Sequence, residues 1–93
     1  MKIDYDKLQS GLNKLTGLDF EQCEAAERAA GNTFPEITFS KSFQARLAAR
    51  ALNINPHDIK NLPVRDYQRV CSTCFGFLFG SLESATPAAL SEK

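Results

Sequence analysis

The chain is poor in the parts that chemistry usually needs. Its 93 residues hold one histidine and three cysteines, with no glycine-rich phosphate loop and no paired carboxylates in a catalytic arrangement. Single His57 has no nucleophile beside it, and Asp58 next to it reads as a first-turn acid at a helix start. Ser72 and Thr73 have no base nearby, so acid–base, nucleophilic and phosphoryl-transfer catalysis lack their usual constellations. No catalytic residue, cofactor or bound metal is expected.

Other absences bound the setting. An odd cysteine count does not make a disulfide framework, and the N-terminal stretch MKIDYDKLQSGL has no apolar core of a signal peptide. No apolar run approaches the roughly 20 residues that span a bilayer. The expectation is a soluble cytoplasmic protein with reduced thiols and no membrane partner. Net charge is zero, yet residues 1–39 carry −3, residues 40–69 carry +4 and the remainder −1. A zero total argues against generic polyanion binding and leaves room for a local basic face.

What is present reads as helix. Asp4 caps a first helix with Tyr5, Leu8, Leu12 and Leu15 at helical spacing and Gly17 as its stop. Gly11 inside it costs about 1 kcal/mol relative to Ala. Asp19 caps a second helix, FEQCEAAERAA, closed by Gly31 and Asn32, whose alanines 25, 26, 29 and 30 suit close helix approach. NTFPEITF breaks the pattern at 32–39: an irregular connector, or a short strand with no evident partner, because Pro35 forces Phe34 out of the α region.

Ser40 caps a third helix, KSFQARLAARAL, with Phe43, Leu47 and Ala51 as its buried stripe and Arg46 and Arg50 together outside. Asn55-Pro56 starts a short helix, and Pro63 opens a last one, VRDYQRVCSTCFGFLFGSL. The prediction is an all-α fold, a compact bundle of about five helical segments. Residues 1–82 form one domain, and 83–93 form a frayed flexible tail.

The last helix poses the sharpest question. Cys71 and Cys74 form a C-x-x-C pair, but they lie on the apolar stripe with Tyr67, Val70, Phe75, Leu78 and Leu82, where a free thiol behaves as a small hydrophobe. Zinc wants four ligands, and only the distant Cys23 and His57 remain to complete a site. A redox pair belongs at a helix start after a strand, not mid-helix. The thiols therefore read as core. The phenylalanines do not: Phe75 and Phe79 are an i,i+4 pair on or beside the stripe, and Phe77 is expected to point away from it. A helix end apolar on several sides must be covered on several sides, by the rest of the fold or by another chain.

The segments FPEITFSKSFQARLAARAL, NPHDIKNLPVRDYQRV and CFGFLFGSL together resemble the small tail assembly chaperones of phages and prophages, over residues 34–82. That resemblance implies a non-catalytic protein of a bacterial host cytoplasm. Such a protein would bind and solubilise an apolar helical client, the tape-measure protein, with or without self-association. Phe75, Phe77, Phe79 and Leu82 are the contact candidates, with Phe39 and Phe43 joining them. The alternative is a helix-turn-helix DNA-binding protein using residues 47–62, with Arg46, Arg50, Arg65 and Arg69 near phosphate. Its recognition helix would be only about two turns long and would present Asp58 outward.

Overall fold

The computed structural model describes residues 2–85. Five helices follow in order: α1 (Tyr5–Lys14), α2 (Gly17–Ala29), α3 (Lys41–Leu52), α4 (Pro56–Lys60) and α5 (Val64–Ala85). The connector between α2 and α3 contains one 3-10 turn, Ile37–Phe39, where the pattern left a strand open. The fold is all-α, with no strand among the described residues. No helix among them is long and apolar enough to cross a membrane. The expected tail lies largely outside the described residues, and α5 itself runs through Ala85.

Short polar side chains fix where the helices begin. The Asp4 carboxylate accepts from the amides of Asp6 and Lys7, Ser40 Oγ from Phe43, and the Asn55 side chain from His57. Each satisfies amide groups that the first turn leaves without helical partners. The second helix corrects the sequence reading. Its cap is Thr16, not Asp19, and Asp19 is the third residue of a reciprocal capping box. Gly17 is consequently the first residue of α2 and does not stop α1.

Two helices end through left-handed residues. Gly31 has φ of 100°, and the Asn32 amide donates back to the Glu27 carbonyl at 3.0 Å. Asn53 has φ of 59°, and the Ile54 amide donates to Ala49 at 2.9 Å. Both are the long-range closing bond of a Schellman turn.

α3 is the hub, packed against every other helix and the 3-10 turn. Phe43, Ala45, Leu47, Ala48, Ala49 and Leu52 are all buried, so α3 is apolar around most of its circumference. Its alanines, rather than those of α2, let neighbours come close: Ala25 and Ala29 of α2, and Ala30 that caps it, are exposed. Leu8 and Leu12 from α1, Ile59 and Leu62 beside α4, and Val70, Cys71 and Cys74 from α5 complete the core. Each large aliphatic side chain sealed there contributes about 1.5–3 kcal/mol over its exposed state.

Candidate functional site

Three phenylalanines from two elements meet at the surface. Phe75 and Phe79 stand one turn apart on α5, with ring centroids 4.8 Å apart. Phe39, from the 3-10 turn, stacks on Phe79 at 5.4 Å and 11° and lies 5.9 Å from Phe75. The turn is held from below. Ile37 is buried, and Gln44 Nε2 donates to the Thr38 carbonyl at 2.8 Å. That anchoring pushes the next residue but one, Phe39, outward.

The rings are mutually satisfied and still incompletely covered. Phe39 is 51% exposed and Phe75 40%. Gly76 and Gly80 follow the two α5 rings one for one, and a Cβ at either would touch nothing within 4 Å. No charged residue lies between Arg69 and Glu83. The α5 part of the patch is thus aromatic and free of charge.

The other expected contacts divide. Phe43 is wholly buried, its ring 5.0 Å from that of Phe20 in an edge-on pair, so it is a core residue and not a contact. Phe77 also departs from expectation: it packs against the core and is only partly exposed. It lies seven residues beyond Val70 and three beyond Cys74, which brings it round to the same side of the helix. That spacing was the available signal. The Leu82 side chain lies outside the described residues.

Cys71 and Cys74 are buried free thiols, as is Cys23. Burial, reinforced by Cys71, pushes the Cys74 thiol up to about 12. Burial likewise raises Cys71, whose Sγ donates to the Lys41 carbonyl at 3.6 Å. Thiols kept protonated are neither nucleophiles nor ready metal ligands. No group of three potential metal-ligating side chains occurs among the described residues.

A second polar feature joins α2 to α3. Arg46 Nε donates to Glu27 at 2.6 Å, and Arg50 Nε to Asp19 at 2.8 Å, with Gln22 also accepting from Arg50. Glu27 is only 2% exposed and takes a further hydrogen bond from Asn32 at 2.9 Å. Burial raises its carboxyl. The hydrogen bonds from Asn32, Arg46 and Ser42, with the Arg46 charge, outweigh that and hold it below the usual range.

This seam bears on the DNA reading. Arg46 and Arg50 are spent on α2, and Arg69 lies over the Tyr5 ring at 3.9 Å. Helix α4 is five residues long, with Asp58 exposed. Three of the four arginines expected at phosphate are therefore already engaged within the fold.

Comparison of the chain with protein-family models, with curated proteins and with solved structures finds no match in any of the three.

Proposed function

We propose that the chain is a non-catalytic protein-binding module that holds an apolar helical segment of a client against Phe39, Phe75 and Phe79. One observation carries this reading: three phenylalanine rings are in contact with one another, and two of them, Phe39 and Phe75, stay about half open beside an uncharged stretch of α5. Large aromatic surface that a small fold leaves uncovered is a mark of interaction sites, where aromatic residues are enriched and charge is depleted. Gly76 and Gly80, next to two of the rings, add no side chain there and have open space about them. An apolar helix laid there meets rings on one side and little steric obstruction on the other.

The resemblance to tail assembly chaperones suggests the client: a long apolar helical protein of the tape-measure kind, kept soluble until assembly, in the cytoplasm of a bacterial host. Self-association through the same rings is the competing use of the patch. A holdase of this kind needs no cofactor, and the buried, protonated thiols offer no chemistry of their own.

The test is co-expression with the product of the longest coding region flanking this one. Co-purification is expected with the wild type and lost with the Phe75→Asp, Phe79→Asp double variant at unchanged helix content. Retention of the client by a folded double variant contradicts the proposal.

A further inference from the structure

α2 is attached differently from the other helices. Like α1 it buries only two residues, but one of them, Glu27, is charged, and the other is the small Cys23. Its outer side shows Leu18, 63% exposed, with Ala25 and Ala29. α3 is the one helix on which it packs at length. The seam is thin. It includes the Phe20–Phe43 edge contact, the buried Cys23, the Glu27–Arg46 and Asp19–Arg50 ion pairs and the hydrogen bond from Arg50 to Gln22. A groove of about 510 Å3, open to solvent, runs along it, lined by Cys23, Ala26, Ala49 and Ile54 among others. α3, in contrast, keeps α1, α4 and α5 on its other sides.

We propose that α2 is a releasable cover, and that the seat it leaves on α3 is a second protein-binding site, one that takes an acidic amphipathic helix. α2 itself shows the chemistry of the occupant. Phe20 meets Phe43, and carboxylates at 19 and 27 reach Arg50 and Arg46. The charge of the chain favours the same exchange: residues 40–69 carry +4 and residues 1–39 carry −3, so the opened seat is basic. Elements with few buried apolar contacts open locally while the rest of a fold stays closed. A competitor that binds the open form raises its population by mass action. None of this involves Phe39, Phe75 or Phe79, and it stands or falls independently of the function proposed above.

Native-state hydrogen exchange on the full chain tests both parts. The mid-helix amides from Cys23 to Glu27 should exchange at least about tenfold faster than those of Leu47, Ala48 and Ala49. Arg50→Ala, at a surface position, should speed them a further two- to fivefold or so and leave α3 unchanged. A synthetic peptide of residues 16–32 at about 1 mM should accelerate α2 exchange at least severalfold. The same peptide with Asp19→Lys and Glu27→Lys should not. Protection of α2 equal to that of α3 overturns the release. Release without acceleration by the acidic peptide, or with equal acceleration by both peptides, overturns the seat.

Discussion

Gly11 of α1 lies directly against the backbone of Ala51 of α3. A Cβ at position 11 would collide with the Ala51 carbonyl oxygen and come within 2.9 Å of its carbon and 3.2 Å of its Cβ. The glycine that weakens α1 as an isolated helix is what lets α1 and α3 meet. Gly11→Ala gains roughly 1 kcal/mol in helix propensity and still lowers stability, because backbone cannot move aside and the overpacking costs about 3 kcal/mol, for a net loss of about 2 kcal/mol. Gly76→Ala is the control. It is helical with open space around it, so stability rises by about 0.5–1 kcal/mol. Shifts of the urea midpoint in opposite directions are expected; a stabilised Gly11→Ala would mean that the two helices do not touch there.

That contact also shows where the sequence was legible. Caps at Asp4, Ser40 and Asn55 were readable because a capping bond spans two or three residues and needs nothing distant. Thr16 was missed because Asp19 is an equally good cap by type, and only the reciprocal bond from the Thr16 amide at 2.8 Å decides the register. The alanines of α2 and α3 look alike in sequence. Which set is buried depends on α3 having neighbours on all sides, a property of the assembled bundle and not of either segment. Phe39 and its α5 partners lie 36 and 40 residues apart, so no local pattern announces their stacking.

The Glu27–Arg46 pair sets the acid limit of the fold. A carboxyl held below its ordinary value of 4.5 binds a proton less readily in the native state than in the unfolded chain. Its contribution is therefore complete above about 4.5 and fades as the pH falls through the native value. Asp19, lowered chiefly by the Thr16 amide, acts in the same sense starting from 3.8. Denaturant midpoints should be level from neutrality to about pH 5.5 and fall below about 4.5. Glu27→Gln should lose about 3 kcal/mol at neutral pH, since it strips a mostly buried cation of its partner, and should show a shallower acid slope. An unchanged slope in that variant would remove Glu27 as the cause.

Cys71 and Cys74 should be silent in the native protein. With its thiol pushed up to about 12, Cys74 at pH 8 is on the order of one part in ten thousand thiolate, before burial blocks the reagent as well. A thiol reagent should therefore modify both residues together, at a rate that saturates with reagent concentration at the rate of unfolding. Rapid second-order labelling of Cys74 in the folded chain would show an accessible, activated thiol and reopen the C-x-x-C pair as chemistry.

Phe75 and Phe77 are two residues apart and should behave as different kinds of residue. Phe77 packs against the core, so Phe77→Ala should remove about 3 kcal/mol of stability, the lower end for a phenylalanine truncation because the ring is only partly buried. Phe75 is 40% exposed and touches Phe39 and Phe79. Phe75→Ala forfeits those ring contacts, about 1–2 kcal/mol in all, and leaves the core intact. If the cluster is an interaction surface, association should follow the opposite order. Light scattering or client capture should fall sharply for Phe75→Ala and for Phe39→Ala, while a Phe77→Ala protein that remains folded keeps its partner. Equal losses of binding from the Phe75 and Phe77 variants, in proportion to lost stability, would mean that the three rings merely cap the bundle.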